Sequence, residues 1–320
     1  MEIKKLLETE FKFIEKNLGK DCVKLKNKKF LITGGSGFLG YYIVNFLNYL
    51  NDKKNYKIKI SVIDNSIRGK KNWIKLLIKQ KKIHFKDMDI SKFKNYGHEN
   101  YHYIMHAASI ASPTYYRKFP LETIFSNILG LKNLLEPYKK NKKNLKKFLF
   151  FSSSEIYGNP DRKNLPTKET YNGNVSCIGP RASYDESKRL GETLCYNYFN
   201  KFKIPVVSVR PFNNYGPGMF KSDKRVLADF TNNILSKKDL VMYSRGNDKR
   251  TFCYISDAII GYFKVLLIGK LGEVYNIGNN KPEITIKQLA KNFSKISQKL
   301  YGFKPRLIFK KSKDQNYLID

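Results

Sequence analysis

The sequence of 320 residues predicts an α/β protein with a doubly wound parallel sheet and a smaller C-terminal lobe. Three observations predict this fold class. Strand-like and helix-like segments alternate along most of the chain, a glycine-rich loop joins one such strand to the next helix, and an acidic residue ends the strand that follows. Beyond residue 213 the segments become shorter and the loops contain more glycine and proline, as expected of a lobe that covers a substrate.

The elements follow one another in a regular order. Residues 1–28 alternate charged residues with Leu, Phe and Ile at helical spacing, which predicts an N-terminal amphipathic helix. The predicted strands lie at 28–34, 56–64, 83–90, 101–109, 146–154 and 205–213, and the predicted helices at 38–50, 72–80, 121–140 and 184–202. This order predicts a sheet domain over residues 29–212 and a lobe over residues 213–320 whose elements interleave with that domain.

The composition favours a globular, cytoplasmic protein. Hydrophobic residues make up 41% of the chain and aromatic residues 14%, which suits a large core. No apolar run approaches the roughly 18 residues that would suggest a membrane span, and the N-terminus lacks the continuous apolar core of a signal peptide. The four cysteines and four histidines show no disulfide or metal-ligand spacing, so we predict a reducing compartment and no metal.

The net charge of +34 invites a nucleic-acid interpretation. The excess is almost entirely lysine, spread over surface-like segments such as KKNKKNLKK, whereas arginine is scarce. Recognition of phosphates and bases draws on arginine and on basic runs with aromatic stacking partners, which are not evident here. We therefore interpret the charge as a solvated surface and expect no nucleic acid, with a non-catalytic polyanion-binding protein as a remote alternative.

The segment TGGSGFLG, residues 33–40, lies between the first strand and the following helix and has the spacing G-x-x-G-x-x-G. Glycines let the backbone approach a pyrophosphate, and the helix N-terminus offers free N–H donors to it. The predicted cofactor contacts in this loop are Gly34, Gly37, Phe38, Leu39 and Gly40. The next strand ends at Asp64, whose carboxylate can accept hydrogen bonds from both adenosine-ribose hydroxyls and would repel a 2′-phosphate. The sequence thus predicts a Rossmann-type domain that binds NAD rather than NADP.

Tyr184 and Lys188 lie four residues apart on one face of a predicted helix. A phenol with a pKa near 10 is a poor base at neutral pH, but an adjacent ammonium and a positively charged nicotinamide would stabilise its phenolate. Their position in chain order, about thirty residues after the serine-rich strand end FFSSSEIYG, strengthens the assignment. We predict that Tyr184 is a general base assisted by Lys188.

Several motifs in combination make the chain resemble a known family. They are ITGGSGFLG, the Asp64-Asn65 pair with Gly69 and Asn72 after it, HAASIASPTYY, SSSEIYG, RASYDESKR, RPFNNYGPGM and KRTFCYISDA. Over residues 29–320 the chain resembles the extended short-chain dehydrogenases/reductases that act on nucleotide sugars, the NAD-dependent epimerase/dehydratase family. It is most similar to the branch of UDP-glucuronate decarboxylases, or UDP-xylose synthases.

The resemblance assigns further site residues. Those that would contact NAD are Asn65, Asp87 and Met88 on the adenosine side and Ala107, Ala108 and Ser109 on the nicotinamide side. Ser153 would hydrogen-bond the sugar 4-hydroxyl beside Tyr184. Those that would contact the nucleotide sugar are Ser112, Tyr116, Asn213, Arg225 and Arg250. The last three would hold the uridine diphosphate, and a diphosphate favours guanidinium partners.

The pair Ser154-Glu155 follows this serine. Family members that dehydrate the sugar usually carry Asp-Glu at these positions, and simple 4-epimerases usually carry no carboxylate there. The resemblance therefore implies a decarboxylase, with Glu155 orienting the sugar ring or relaying a proton. Oxidation at C4 would produce a β-keto acid that loses CO2, and return of the hydride would give UDP-xylose.

Some positions depart from the decarboxylase pattern. Ile110 stands in place of a usual proline, Asn214 in place of a common threonine, and the chain reaches Asp320 where the family continues into an arginine-containing segment. We therefore expect a C-terminally truncated lobe. A nucleotide-sugar 4,6-dehydratase or 4-epimerase is the main alternative, because a Ser-Glu pair also occurs in some dehydratases. The helices beginning near Leu121 and Tyr184 match those that pair in the family's dimers, which implies a homodimer.

Overall fold

The computed structural model describes residues 2–67, 69, 71–93, 101–220 and 223–310. Its strands are β1 (Lys29–Thr33), β2 (Lys59–Asp64), β3 (His84–Asp87), β4 (Tyr103–His106), β5 (Lys147–Phe151), β6 (Val206–Pro211), β7 (Asn214–Tyr215), β8 (Leu240–Met242), β9 (Lys249–Arg250), β10 (Cys253–Tyr254), β11 (Val274–Ile277), β12 (Ile284–Thr285) and β13 (Leu307–Phe309). Its α-helices are α1 (Glu2–Leu18), α2 (Phe38–Lys54), α3 (Asn72–Lys79), α4 (Pro113–Lys118), α5 (Pro120–Leu135), α6 (Ala182–Phe202), α7 (Val226–Leu235), α8 (Ile255–Ile268) and α9 (Ile286–Tyr301). The C-terminal residues 317–320, on which the expectation of a truncated lobe depends, lie outside the described residues.

The central sheet has seven strands in the order β11-β6-β5-β4-β1-β2-β3, and all neighbouring strands are parallel. The strand order reverses between β1 and β4, which makes this a doubly wound sheet with a switch point at its middle. The predicted fold class is therefore confirmed. The sequence analysis placed six strands in this region, and the seventh, β11, comes from residues beyond 213.

Helices cover both faces of the sheet, as parallel strands require because both of their faces are apolar. Every residue of β4 and β5 is buried. One face carries α2, α3 and α8 over a core that includes Ile43, Phe46 and Phe263. The other face carries α5 and α6 over a core that includes Leu131, Phe148 and Cys195. This double cover leaves the carboxyl ends of the strands as the open edge of the sheet.

The N-terminal helix α1 packs against the sheet domain. Its apolar side chains Phe11, Ile14 and Leu18 are buried in the core under α2 and α8. Glu10 on the same helix is also buried, and its carboxylate accepts hydrogen bonds from Tyr42 Oη at 2.7 Å and from Tyr254 Oη. Two donors compensate the burial of this carboxylate. The helix therefore ties α2 to the segment that precedes α8.

The C-terminal part of the chain has an apolar core of its own, formed by α7, β8 and α9. β13 pairs in parallel with β8, and β12 pairs antiparallel with β9. Between these elements, α8 and β11 return to the central sheet. The division of the chain at residue 213 stays a prediction. Across the residues described, no helix is long and apolar enough to cross a membrane.

Candidate active site

A cleft of about 2750 Å³ lies at the carboxyl ends of the central strands, between the sheet and the C-terminal core. Ligands of doubly wound sheets bind at this edge, beside the switch point. The predicted site residues that line it are Gly34, Gly37, Phe38, Leu39, Gly40, Asp64, Asn65, Met88, Ala107, Ala108, Ser109, Ser112, Tyr116, Ser153, Glu155, Tyr184, Lys188, Asn213, Arg225 and Arg250. The fold thus brings all of the predicted site residues except Asp87 to the wall of one cavity.

Asp87 is the exception, since it is not among the residues that line the cleft and its side chain is exposed. Met88 and Asp89, which follow it, do line the cleft. Met88 therefore lies at the cleft beside the predicted adenosine side, while the contact of Asp87 with the adenosine stays a prediction.

In the glycine loop the backbone packs too closely against neighbouring backbone for a Cβ to fit at two of the glycines. Gly34 has φ +70°, and a Cβ there would lie 2.7 Å from the backbone of Ala107 at the end of β4. A Cβ on Gly40 would lie 2.4 Å from the carbonyl oxygen of Gly35. The loop leads directly into α2, whose first N–H groups are free to bind an anion. This cradle fits the pyrophosphate of NAD.

Asp64 is positioned by the loop that it faces. Its carboxylate oxygens accept hydrogen bonds from Ser36 N at 3.0 Å and from Ser66 N at 2.8 Å. An ionised carboxylate has about four acceptor sites, so lone pairs remain for two ribose hydroxyls. Residues 34–40 and Asp64 together would hold the adenosine and pyrophosphate of NAD.

Tyr184, Ser153 and Lys188 meet where β5 ends against α6. Tyr184 is only 6% exposed, its ring stacks on Tyr116 at 5.1 Å between centroids, and its hydroxyl is hydrogen-bonded to Ser153. The Ser153 hydroxyl accepts a hydrogen bond from Glu155 N at 3.2 Å, which leaves its own hydrogen free to donate to Tyr184. Lys188 Nζ donates to Phe151 O at 2.7 Å and lies 5.7 Å from the centre of the Tyr184 ring.

Burial sets the proton affinities of this pair. Burial raises the pKa of Tyr184 to about 12, although the hydrogen bond from Ser153 and the charge of Arg225 act in the opposite direction. Burial also lowers the pKa of Lys188 to about 7. In the protein without its cofactor the phenol is therefore protonated at neutral pH. A cation next to the phenol, such as a bound nicotinamide, would favour the phenolate.

Glu155 lies on the 3-10 turn Ser154–Tyr157 that follows Ser153. Its carboxylate accepts a hydrogen bond from Arg181 Nη2, an ion pair that joins the end of β5 to the residue before α6. The sequence analysis did not single out Arg181. The RASYDESKR motif contained it, but its partner stands 26 residues earlier and only the fold brings the two together.

On the opposite wall, Arg225 is held by Asp223, which is only 2% exposed. The guanidinium donates from Nε to Asp223 Oδ1 at 3.0 Å and from Nη2 to Oδ2 at 2.9 Å. Asn213 Nδ2 donates to Thr251 O at 3.1 Å. This wall therefore presents an oriented guanidinium to the cleft. The sequence analysis missed Asp223, because an acid two residues before an arginine does not by itself predict that the two side chains pair.

The comparisons with known proteins agree with this geometry. Residues 30–278 match the family model of the NAD dependent epimerase/dehydratase family. The chain belongs to this family. The predicted family and its NAD dependence are thereby confirmed, while the roles of individual residues in this family member stay predictions.

Relatives and solved structures in the family add detail. UDP-glucuronic acid decarboxylase 6 of Arabidopsis thaliana is 34% identical over 270 residues, which are 84% of this chain and 74% of the relative. UDP-glucuronic acid decarboxylase 1 of Xenopus tropicalis is 34% identical over 86% of this chain and 61% of its own length. The UDP-glucuronic acid 4-epimerase of Bacillus cereus, solved with UDP-glucuronic acid and NAD, superposes with a TM-score of 0.70 at 28% identity, covering 89% of this chain and 86% of that one.

A further solved structure is similar to this chain in its fold. The UDP-glucose 4-epimerase of Thermotoga maritima superposes with a TM-score of 0.73 over 90% of this chain and 87% of that one, at 23% identity. At this identity the similarity supports the family fold and says nothing more specific.

We expect His106 to lower the free energy of unfolding of this protein in acid. His106 ends β4, is 1% exposed and has Nδ1 at 2.7 Å from Thr33 Oγ1. Burial lowers its pKa to about 3, and the charge of Lys188 contributes. The unfolded chain binds this proton near pH 6.5. The free energy of unfolding should therefore fall between pH 6.5 and pH 3, by up to about 1.4 kcal/mol per pH unit.

The measurement is denaturant unfolding of the wild type and of His106→Gln at pH 7 and pH 4.5. The variant should lose less stability than the wild type on acidification, because glutamine does not titrate. His84→Gln serves as the control, since His84 is exposed at the start of β3. Equal losses for wild type and His106→Gln would contradict the assignment.

Proposed function

We propose that this protein decarboxylates UDP-glucuronate to UDP-xylose through a 4-keto intermediate. The observation that carries the proposal is the Glu155 carboxylate, which lines the cleft two residues after Ser153 in a chain that shares 34% identity with UDP-glucuronic acid decarboxylases. Family members that dehydrate the sugar usually carry an aspartate before this glutamate, and this chain carries the neutral Ser154 there.

Bound NAD would supply the acceptor and later the donor of a hydride at C4 of the sugar. Tyr184 is placed to remove the proton of the 4-hydroxyl, and Ser153 to hold that oxygen beside it. Lys188, held by Phe151 O, would stabilise the phenolate by its charge. With a ketone at C4, the C5–C6 bond breaks, CO2 leaves, and the bonding electrons form a C4–C5 enolate whose oxygen would lie near Tyr184 and Ser153. A proton then adds at C5, and return of the hydride to C4 would give UDP-xylose.

The remaining predicted residues would bind the nucleotide. Arg225, oriented by Asp223, and Arg250 would contact the diphosphate, with Asn213 beside them. Within the part of the chain that the structure describes, the hydroxyl of the buried Ser112 has no hydrogen-bond partner, and Tyr116 stacks on the proposed base. A buried hydroxyl that faces a cleft gains most from a ligand group, so Ser112 would hydrogen-bond the sugar.

The test is an NMR assay of the purified protein with catalytic NAD and UDP-glucuronate, in which the sugar signals and released CO2 are followed. UDP-xylose or the 4-keto pentose supports the proposal. UDP-galacturonate without CO2 would support a 4-epimerase, the second candidate, which the similarity to the UDP-glucuronic acid 4-epimerase of Bacillus cereus favours. An unchanged substrate in the presence of bound NAD would contradict both.

Glu155→Gln should reduce turnover more than substrate binding. Glutamine keeps the size of the side chain and can still hydrogen-bond the ring, but it cannot relay a proton. We expect a loss in kcat between about 10²-fold and 10⁴-fold, the usual contribution of a proton-transfer group. Steady-state kinetics with UDP-glucuronate check this, and a variant with unchanged kcat would exclude proton transfer by Glu155.

We also propose a homodimer that pairs through α5 and α6. Leu121, Phe125 and Leu129 recur every four residues along α5 and are exposed by 59%, 44% and 42%. Apolar side chains in such a stripe are typical of an interface. Sedimentation equilibrium should give a mass twice the 37.4 kDa of one chain.

A cytoplasmic location remains a prediction that accords with four free cysteines.

A further inference from the structure

Arg181 lies between two carboxylates at the edge of the candidate active site. Its Nη2 donates to Glu155 Oε2, and its Nε lies 3.4 Å from Asp185 Oδ2. All three side chains line the cleft. The Arg181 side chain is 26% exposed and that of Asp185 is 6% exposed, so solvent screens these charges only in part.

The backbone fixes this arrangement to the proposed base. Arg181 stands immediately before α6, and its carbonyl oxygen accepts hydrogen bonds from Tyr184 N at 2.9 Å and from Asp185 N at 3.1 Å. The Arg181 backbone therefore lies one turn away from that of Tyr184, a separation that helix geometry sets. The ion pairs with Glu155 and Asp185 then hold the guanidinium.

Two other cations that line the cleft, Arg225 and Lys188, have partners of their own. Arg225 forms a two-pronged ion pair with Asp223. Lys188 is buried and donates to Phe151 O. Without the guanidinium of Arg181, the charges of Glu155 and Asp185 would both act on the cleft. A sugar that carries a carboxylate would then approach two like charges, whereas a neutral sugar would not.

Asp185 also acts on the catalytic tyrosine. Its charge raises the pKa of Tyr184, which opposes formation of the phenolate. A guanidinium next to Asp185 reduces this effect, since opposite charges within 4 Å compensate each other. The same side chain thus serves the proposed base and the proposed substrate.

We propose that Arg181 is a positioning residue that neutralises Glu155 and Asp185 and thereby allows the cleft to accept an acidic sugar. The inference rests on the proposed function, because it concerns discrimination at the same site between nucleotide sugars with and without a carboxylate at C6. Arg181 acts through its two partners and orients the Glu155 carboxylate toward the bound ring.

The experiment measures binding of UDP-glucuronate and UDP-glucose by calorimetry to the NAD-loaded Tyr184→Phe protein, which should hold UDP-glucuronate without converting it and into which the further substitutions are introduced. These ligands differ only in the carboxylate at C6. Arg181→Gln should weaken the affinity for UDP-glucuronate by at least about tenfold and that for UDP-glucose by less than about threefold. Arg181→Lys, which keeps the charge, should recover most of the affinity for UDP-glucuronate.

The double variant Arg181→Gln with Glu155→Gln distinguishes charge neutralisation from a purely structural role of Arg181. Removing the charge of Glu155 should restore part of the affinity for UDP-glucuronate that Arg181→Gln loses. Arg306→Gln is the matched control, because Arg306 forms an ion pair with Asp239 outside the cleft. It should leave both affinities unchanged.

Two results would overturn the inference while the proposed function stands. One is an equal loss of affinity for both ligands in Arg181→Gln, and the other is an unchanged affinity for both ligands in that variant. A wild-type protein that binds NAD but neither binds nor converts UDP-glucuronate would instead overturn the proposed function, and the inference with it. The wild-type measurement therefore separates the two failures.

Discussion

Tyr184→Phe is expected to reduce turnover of the nucleotide sugar by about 10²-fold to 10⁴-fold or more, the contribution of a positioned general base. The substitution removes one oxygen from a ring that is buried against Tyr116, so the packing of the site is preserved. Binding of NAD should be unchanged, because the glycine loop and Asp64 would contact the adenosine half of the cofactor. Single-turnover kinetics and a cofactor titration measure the two quantities separately.

Tyr198→Phe is the matched control for this prediction. Tyr198 lies on the same helix α6, and its hydroxyl donates to Glu136 outside the cleft. Its removal should leave turnover near that of the wild type. Near-normal turnover in Tyr184→Phe would contradict the mechanism, whereas a loss of NAD binding would point to a disturbed site and not to a missing base.

Gly34→Ala should lower the affinity for NAD and the stability of the fold together. The left-handed conformation costs an alanine about 1–2 kcal/mol. In addition, the new Cβ would lie 2.7 Å from the backbone carbon and oxygen of Ala107, which cannot move without shifting β4. We expect a loss in NAD affinity of at least about tenfold, because the loop must shift away from the pyrophosphate position.

Gly302→Ala separates the two causes. Gly302 ends α9 with φ +64°, close to the φ +70° of Gly34, but among the described residues no heavy atom beyond its own neighbours along the chain lies within 4 Å of the position of its Cβ. This variant should show the conformational cost alone. Denaturant unfolding and NAD titration of both variants make the comparison, and equal effects would show that contact with Ala107 is unimportant.

Much of the candidate site could be predicted because its parts are local. The glycine loop, the strand end at Asp64 and the spacing of Tyr184 and Lys188 each depend on a few neighbouring residues, whose geometry follows from helix and strand periodicity. The cleft then collects these residues because the carboxyl ends of parallel strands share one edge. By contrast, β11 was missed as a strand of the sheet because it follows α8 in the C-terminal part of the chain, and only the fold brings Val274–Ile277 beside β6.

The sequence by itself thus determined the alternation of strands and helices, the place of the glycine loop and the spacing of Tyr184 and Lys188, the predicted catalytic pair. Only the tertiary structure decided which charges meet: Arg181 with Glu155, Glu10 with Tyr42 and Tyr254, and Met88 in the cleft where Asp87 is not. Local pattern follows from backbone geometry over one or two turns. Partners that are tens or hundreds of residues apart are set by packing of the whole chain, which no short segment encodes.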